Sequence, residues 1–157
     1  MKKSLYIMVG IPASGKSTYL DKYRDKNIVI SRDKIRLSLL KEGDDYFSNE
    51  KEVFNEFVKQ IQEALDTVPQ GIDVYADATH INYLSRRKLL SRLRLKNVDV
   101  KCIYIKTPIE VALERNKKRE GLERTPDNVI LNFGLLLEPP TLEEYNYKLI
   151  ITINNAD

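Results

Sequence analysis

The sequence has 157 residues, of which 42% are hydrophobic and 31% are charged, and its formal net charge is +3. This length and balance predict one globular domain spanning residues 1–157, and they exclude a disordered or fibrous chain. No apolar run approaches the roughly 18 residues that a membrane-spanning helix requires, so no membrane association is expected. The small positive charge permits an anionic substrate without requiring one.

The one cysteine, Cys102, lies in the apolar run 100–105 and cannot form an intramolecular disulfide. A buried, reduced thiol and a cytoplasmic location are therefore expected. The start of the chain superficially resembles a signal peptide. However, its apolar stretch covers only residues 5–9 and runs directly into a glycine loop, which indicates a buried strand instead.

Apolar strand-like runs alternate with helical patterns along the chain. The runs are rich in Val, Ile and Tyr with little polar alternation, which is typical of a parallel sheet covered on both faces. Strands are predicted at residues 5–9, 27–31, 72–76, 98–105 and 148–153. Helices are predicted at residues 16–26, 34–41, 49–67, 83–95, 109–119 and 126–137. The alternation predicts a three-layer α/β sandwich with a mainly parallel five-stranded sheet, and the ligand site is expected at the carboxyl ends of the strands.

The first predicted strand is followed by a segment that fits the phosphate-loop pattern G-x-x-x-x-G-K-[ST] in full, Gly10-Ile11-Pro12-Ala13-Ser14-Gly15-Lys16-Ser17. In such a loop successive N–H groups and a helix N-terminus surround phosphate oxygens. Lys16 is expected to reach the β- and γ-phosphates, and Ser17 is expected to place its hydroxyl on Mg²⁺. The alternative is a chance match, which the strand and helix context disfavours. The predicted ligand is ATP or another nucleoside triphosphate with Mg²⁺, bound by Gly10, Ala13, Ser14, Gly15, Lys16, Ser17 and Thr18.

Asp33 and Arg36 follow the second predicted strand. A carboxylate at Asp33 can accept the proton of an acceptor hydroxyl. Arg36 lies about one helical turn further on, so its guanidinium can bind a phosphate on the acceptor in the same cleft. The alternative is that Asp33 only caps a helix, a task that Ser31 could share, while Arg36 lies on a solvated face.

The third predicted strand ends in Asp77, followed by Thr79 and the only histidine, His80. Asp77 is expected to hold a Mg²⁺-bound water or to orient an arginine, and the alternative is a turn-forming aspartate. Asp77 and Thr79 are both predicted to contact the substrate. No partner pattern supports catalysis by His80, so a loop histidine in contact with solvent or acceptor is expected. Arg86 and Arg87 begin the next helix, and both are interpreted as mostly structural.

The predicted helix 109–119 ends in a dense positive segment, and Gly121 interrupts it before the next helix. Such a helix–loop–helix can form a lid that closes over phosphates and excludes water. Arg115 and Arg119 lie four residues apart on one face and are predicted to bind the nucleotide phosphates. A solvated basic face is the interpretation for Lys117, Lys118 and Arg124.

In combination, the segments 10–17, 31–36, 77–82 and 115–119 resemble the bacteriophage and bacterial 5′-hydroxyl polynucleotide kinases. The resemblance follows chain order, although only about 25 residues in these four segments are specific. It implies a P-loop kinase fold with a helical lid. It also implies ATP-dependent transfer of the γ-phosphoryl group to the 5′-hydroxyl end of DNA or RNA.

The same resemblance implies roles for individual residues. Lys16 and Ser17 would handle the donor phosphates and the metal, and Asp33 would be the general base. The remaining roles are a 3′-phosphate contact for Arg36, support of the site for Asp77 and a catalytic lid arginine for Arg119.

Two departures from that family stand out in the sequence. Ala13 occupies a position where those loops often carry glycine, which is tolerated unless the position needs a positive φ angle. Phage members often carry a phosphatase domain, and no D-x-D-G-T motif occurs here, so any phosphatase or ligase activity would belong to a separate partner chain. Two alternatives stay open: a kinase of a nucleoside, sugar or other small metabolite, including zeta-toxin-like kinases, and a nucleotide-switched binding module without transfer.

Overall fold

In a computed structural model, which describes residues 3–155, five strands form one parallel sheet. The strands are β1 (Lys3–Val9), β2 (Ile28–Ser31), β3 (Val74–Asp77), β4 (Val98–Lys106) and β5 (Leu149–Asn154). Their order across the sheet is β2-β3-β1-β4-β5, and every neighbouring pair is parallel. The predicted five-stranded parallel sheet is confirmed, and the apolar start of the chain forms its central strand.

Six α-helices connect or flank these strands within the described part of the chain. They are α1 (Lys16–Asp21), α2 (Arg32–Leu39), α3 (Glu50–Thr67), α4 (Tyr83–Ser91), α5 (Ile109–Lys117) and α6 (Asp127–Leu136), and a short 3₁₀ turn covers Gly121–Glu123. Within residues 3–155, no helix combines the length and the apolar character needed to cross a bilayer.

Five of the six helices end one to five residues earlier than the sequence pattern predicts, and only α3 ends at the predicted residue. After α1, α4 and α5 the chain continues through turns closed by hydrogen bonds from residue i+3 to residue i. Examples are the Tyr23 amide to the Leu20 carbonyl, the Arg92 amide to the Leu89 carbonyl and the Lys118 amide to the Arg115 carbonyl. Helical propensity continues past these points, but the tighter turns end the α-helical ladder.

The second helix begins at Arg32, two residues before the predicted start at residue 34. The Ser31 hydroxyl accepts a hydrogen bond from the Lys34 amide at 3.3 Å and caps the helix. Asp33 therefore lies inside the first turn and is not the cap, so the capping alternative for Asp33 is wrong.

The two faces of the sheet are covered unequally. One face carries the main core, in which β1, β3 and β4 pack against α2, α3 and α4. The opposite face holds a smaller cluster that α1 covers through Leu20, and it includes Met8, Tyr75, Ile103 and Ile105. Cys102 is buried in the main core, as expected. The α5–α6 hairpin forms a third cluster with Ile11, Ala13 and Ile81, at the carboxyl ends of the strands.

The strand register brings the predicted polar segments to a single edge of the sheet. Ser31 pairs with Asp77, and Lys106 pairs with Asn154. Because all five strands are parallel, the segments that follow them meet at this edge together with the loop after Val9.

Candidate active site

The loop between β1 and α1 is folded tightly, and two of its glycines have no room for a side chain. A Cβ atom at Gly10 would lie 2.8 Å from the Ser14 hydroxyl oxygen and 3.1 Å from the Ile105 carbonyl oxygen. Gly15 has φ of 100°, and a Cβ atom there would overlap the Asn155 amide. The glycines therefore allow close packing at Gly10 and a left-handed backbone at Gly15.

Ala13 also adopts a left-handed backbone conformation, with φ of 62°. Similar loops often carry glycine at this position. Alanine is energetically less favourable than glycine here because the backbone is left-handed. A left-handed conformation costs a residue with a Cβ atom roughly 1–2 kcal/mol. The side chain is buried against Ile11 and the α5–α6 hairpin, and this packing holds the loop in place.

Three side chains from distant parts of the chain donate to the carbonyl oxygen of Ser14. They are Thr107 Oγ1 at 2.8 Å, Asn155 Nδ2 at 2.8 Å and Arg115 at 3.0 Å. Thr107 and Asn155 did not emerge from the sequence analysis, although each is a polar residue two positions after a predicted strand and immediately after the observed one. Arg115 also contacts Asn155 Oδ1 at 3.3 Å. The structure therefore places Arg115 on the loop backbone, and its contact with phosphate stays a prediction.

Lys16 is buried and folds back onto the loop that precedes it. Its Nζ atom donates to the carbonyl oxygens of Gly10 and Ile11, both at 2.9 Å. Burial lowers the pKa of Lys16; the charges of Asp77 and Asp33 oppose this change, and Arg119 adds to it. The ammonium is thus positioned at the centre of the predicted phosphate site with two carboxylates nearby.

A cavity of about 290 Å³ opens in front of the loop. It is lined by loop residues from Pro12 to Ser17 together with Asp33, Asp77 and Arg119. The structure thus brings most of the predicted nucleotide contacts together. Thr18 is exposed on α1 and lies outside the set that lines this cavity.

Asp77 is a buried carboxylate at the end of β3, with 7% of its surface exposed. Burial raises its pKa to about 6; the positive charge of Lys16 opposes the shift, and the negative charge of Asp33 adds to it. The Ser17 hydroxyl and the Asp77 carboxylate line the same cavity. Two hard oxygen donors beside a phosphate loop fit Mg²⁺, which proteins usually hold through one or two carboxylates together with substrate phosphates and water. Within residues 3–155 there is no cluster of three or more His, Cys, Asp or Glu side chains that could hold a metal by itself.

A second cavity, of about 190 Å³, adjoins the first. Its apolar wall is aromatic, and its polar lining includes Arg32, Arg36, Glu50, Thr79 and His80. The residues that line both cavities are Pro12, Asp33 and Tyr46. Asp33 thus lies at the boundary between the phosphate cavity and a separate pocket that could receive an acceptor.

Arg36 is almost fully buried and is held by two carboxylates. Its guanidinium donates to Glu50 through Nε at 2.8 Å and Nη2 at 2.7 Å, and it also pairs with Asp33. The rings of Tyr46 and Phe47 lie 5.0 and 5.3 Å from its guanidinium carbon. Asp33 itself is mostly exposed, with 64% of its side-chain surface accessible. The solvated-face alternative for Arg36 is therefore wrong.

Glu50 is the functional candidate that the sequence analysis missed. It lies in the first turn of α3 and also contacts Arg32 at 3.3 Å. Burial acts to raise the pKa of Glu50, but Arg36 and Arg32 outweigh burial and hold the pKa below its usual value. The only available signal was an acidic residue at a helix N-terminus, which is also the usual position for such a residue.

His80 is buried, with 5% of its surface exposed, so the expected contact with solvent is wrong. The ring lines the second cavity, and its contact with an acceptor stays a prediction. Its Nδ1 atom lies 2.6 Å from the Met8 carbonyl oxygen, so that nitrogen carries the proton. Burial lowers the pKa of His80 to about 3, and the ring is neutral near pH 7. Its Nε2 atom has no hydrogen-bond partner within residues 3–155. The neighbouring Thr79 carbonyl accepts from the Gly10 amide at 3.0 Å, which joins this segment to the phosphate loop.

The segment between α5 and α6 is closed by a buried asparagine. Asn116 Nδ2 donates to the Thr125 carbonyl, and the Thr125 amide donates to Asn116 Oδ1 at 3.0 Å. Arg119 lies in the segment that this pair closes, and it lines the phosphate cavity. Lys117, Lys118 and Arg124 are exposed, and Lys117 pairs with Glu114 at 2.9 Å, which agrees with a solvated basic face.

Comparison with known proteins gives a family match and curated relatives. The profile of the AAA domain family matches residues 5–140. The chain is 30% identical over 148 residues to a protein of Methanococcus maripaludis named L-seryl-tRNA(Sec) kinase, and the match covers 87% of this chain and 53% of the relative. The chain thus spans about half the length of that relative.

Solved structures share the fold. A sugar kinase from Janibacter sp. HTCC2649 superposes with a TM-score of 0.65 at 17% identity, covering 98% of this chain and 86% of the other. A chain in the structure of the Pnkp1/Rnl/Hen1 RNA repair complex superposes with a TM-score of 0.66 at 20% identity, covering 87% of this chain and 44% of the other. At these identities the likeness shows the P-loop kinase fold alone.

Proposed function

The chain belongs to the AAA domain family, and from that membership we propose that it transfers the γ-phosphoryl group of ATP to the 5′-hydroxyl end of a polynucleotide. The observation that carries this proposal is the position of Asp33. Its side chain lines both the phosphate cavity and the second cavity. A carboxylate between a donor phosphate and an acceptor pocket is in the place that a general base requires.

On the donor side, the loop N–H groups and Lys16 hold the phosphates in this proposal. Lys16, which donates to two loop carbonyls in this structure, turns to the β- and γ-phosphate oxygens when the nucleotide binds. Ser17 and Asp77 would hold Mg²⁺, which would neutralise charge on the β- and γ-phosphates. Arg119 closes the cavity from the lid side and stabilises the charge of the transferring group.

On the acceptor side, Asp33 takes the proton of the attacking hydroxyl. The hydroxyl oxygen forms a bond to the γ-phosphorus as the bond from that phosphorus to the β–γ bridging oxygen breaks, and ADP leaves. A phosphate on the acceptor can replace Glu50 at Arg36, because a phosphate offers the same bidentate oxygen pair as a carboxylate. The curated relative named L-seryl-tRNA(Sec) kinase supports an acceptor hydroxyl that is carried by RNA.

A kinase of a small metabolite is the second candidate, and two observations favour it. The acceptor cavity measures only about 190 Å³, and Glu50 and Asp33 already neutralise Arg36. A sugar or nucleoside would fill such a pocket without needing a phosphate of its own.

An acceptor panel separates the two candidates. The protein is given γ-labelled ATP and Mg²⁺ with 5′-hydroxyl oligonucleotides of DNA or RNA, seryl-tRNA, nucleosides, 3′-nucleotides and sugars. We expect oligonucleotides and 3′-nucleotides to be labelled far better than nucleosides, and Arg36→Ala to erase that preference with little change in the apparent affinity for ATP. Equal labelling of nucleosides and 3′-nucleotides, or labelling of sugars alone, would favour the metabolite kinase.

Asp33→Asn tests the proposed base directly. The amide can orient the hydroxyl but cannot accept its proton, so we expect turnover to fall by about 10²–10⁴-fold. The fold should be retained because Ser31 caps α2 and Arg36 keeps Glu50. Glu114→Gln is the matched control, since Glu114 also pairs with a cation three residues away on a helix surface. Full turnover in folded Asp33→Asn would remove the base assignment.

A further inference from the structure

Three cationic side chains converge on one aromatic ring at the rim of the second cavity. The charged groups of Arg32, Lys88 and Arg92 lie 5.4, 4.6 and 5.5 Å from the centroid of the Phe54 ring. Each distance is within the range of a cation–π interaction. Phe54 is buried and lines the cavity. The three cations around its ring therefore lie at the edge of the proposed acceptor pocket.

This charge is only partly neutralised. Arg32 contacts Glu50 at 3.3 Å. Lys88 and Arg92 are exposed on and just after α4, and neither makes a salt bridge within residues 3–155. Besides the Phe54 ring, the Arg92 guanidinium contacts the neutral amide oxygen of Asn55, to which it donates at 3.4 Å. Like charges held around one ring repel each other, and an incoming anion would relieve that repulsion.

Further cations lie on the solvent-exposed side of α4, away from the cavity. Ser85 and Leu89 line the cavity wall, whereas Arg87 and Lys88 face solvent. Arg92 follows Lys88 by four residues, which is about one helical turn. Lys88 and Arg92, here called the α4 rim, therefore form a path that begins beside Phe54 at the cavity wall and continues over the surface.

We propose that the α4 rim binds the phosphodiester backbone of a single-stranded polynucleotide, beyond the terminal nucleotide that enters the cavity. This inference rests on the proposed function, because it requires a polymeric acceptor. A cavity of about 190 Å³ receives one terminal group, and the rest of the strand must leave across its rim. Spaced cations suit repeated phosphates, and the binding energy comes largely from the release of counterions.

The experiment compares Lys88→Gln/Arg92→Gln with the control Lys26→Gln/Lys148→Gln. Both double variants lose the same charge, but Lys26 and Lys148 are exposed next to the amino ends of β2 and β5, at the opposite edge of the sheet. Binding of a labelled 12-nucleotide single strand to the full chain is measured by fluorescence anisotropy over a series of salt concentrations. Phosphorylation of a 12-nucleotide acceptor and of a 3′-mononucleotide is measured in parallel, and the melting temperature confirms the fold of each variant.

We expect native protein to show a lower KM for the 12-nucleotide acceptor than for the mononucleotide. The rim variant should lose that advantage and keep kcat/KM for the mononucleotide. Its slope of log affinity against log salt should become less negative by about 1 for each lost phosphate contact, about 2 in total. The control should behave as native protein.

An unchanged salt slope and length advantage in the rim variant would overturn the rim assignment, as would an equal loss in the control. If the native protein binds the strand in the expected salt-dependent way but labels only a metabolite, the proposed function fails, and the rim binds single strands without holding an acceptor. If the native protein shows no salt-dependent affinity for the strand, the rim assignment fails whatever acceptor is labelled.

Discussion

Two buried ionisable side chains lie beside the phosphate loop, and burial changes their pKa values in opposite directions. It raises the pKa of Asp77 to about 6 and lowers the pKa of His80 to about 3. In both cases a medium of low polarity disfavours the charged form. The site therefore keeps Asp77 charged at neutral pH against the cost of burial, while His80 stays neutral and acts only as a hydrogen-bonding group.

Asp77→Asn should stabilise the protein without nucleotide at pH 7.5. An aspartate whose folded pKa lies above its unfolded value lowers stability once the pH exceeds both, and removing the charge removes that penalty. A shift of two units corresponds to an upper limit of about 3 kcal/mol, so we expect a gain of about 1–3 kcal/mol. The gain should shrink as the pH falls from 7 toward 4, where Asp77 takes up a proton in the folded protein.

Urea unfolding at several pH values measures this effect. ATP turnover of the same variant, measured without urea, should fall if Asp77 supports the metal as proposed. Ser17→Ala, which removes the other proposed metal contact without removing a charge, should lower turnover and leave stability unchanged. A destabilised Asp77→Asn protein at pH 7.5 would contradict the burial argument.

The His80 ring should not titrate between pH 5 and 8. Since it is the only histidine, its imidazole resonances can be followed by NMR without assignment. A histidine whose folded pKa lies below its unfolded value near 6.5 supplies stability that is complete above that pH and is lost as the pH falls toward 3. A midpoint near 6.5 in the native protein would contradict the observed burial.

At the scale of elements, the lid depends on a side chain that pairs with the backbone. Asn116 and Thr125 close the segment between α5 and α6 through two hydrogen bonds, and Arg119 lies in that segment. These two hydrogen bonds hold the loop in one conformation although the loop has no apolar core of its own. The helical pattern of the sequence predicted α5. It could not predict that Asn116 orders the following segment, because this depends on where the backbone of Thr125 lies in the folded chain.

Asn116→Ala should loosen the lid more than it destabilises the whole protein. It leaves a buried N–H group and a buried carbonyl of Thr125 without their partner, which costs about 1–3 kcal/mol. Hydrogen exchange of the amides at residues 118–125 should accelerate, and turnover should fall if Arg119 acts on the donor phosphates as proposed. Asn128→Ala, at an exposed position on α6, is the control. Equal protection of these amides in both variants would show that Asn116 does not order the lid.

At the scale of the whole molecule, a buried ion pair ties the segment before β5 to the body of the protein. Arg86 is 1% exposed and donates to Glu144 through Nε at 2.8 Å and Nη2 at 2.9 Å, and it also donates to the His80 carbonyl at 2.7 Å. The Tyr147 hydroxyl donates to Glu144 at 2.8 Å. This network confirms the structural interpretation of Arg86, and it connects the segment before β5 to the segment that follows β3.

Glu144→Gln should destabilise the protein by about 3–5 kcal/mol, because it leaves a buried guanidinium without its counter-charge. Burial acts to raise the pKa of Glu144, but Arg86 and Tyr147 outweigh burial and lower it. The stabilisation is therefore present above the ordinary glutamate pKa and is lost as the pH falls through the depressed value. Thermal unfolding should show a large difference from native protein at pH 7 and a smaller one at pH 3. Glu143→Gln, at the exposed neighbouring position, should show neither.

The sequence alone determined the parallel sheet, the succession of strands and helices along the chain, and the phosphate loop. These features depend on local periodicity and on one contiguous motif. It also placed Asp33, Asp77 and Arg119 at one edge, since segments that follow parallel strands must meet there. Only the tertiary structure decided which groups pair with the residues around the two cavities. Glu50 lies 14 residues from Arg36, Met8 lies 72 residues from His80, and Asn155 lies 141 residues from Ser14. No local pattern encodes such contacts, because the side chains meet only after the sheet and helices have packed.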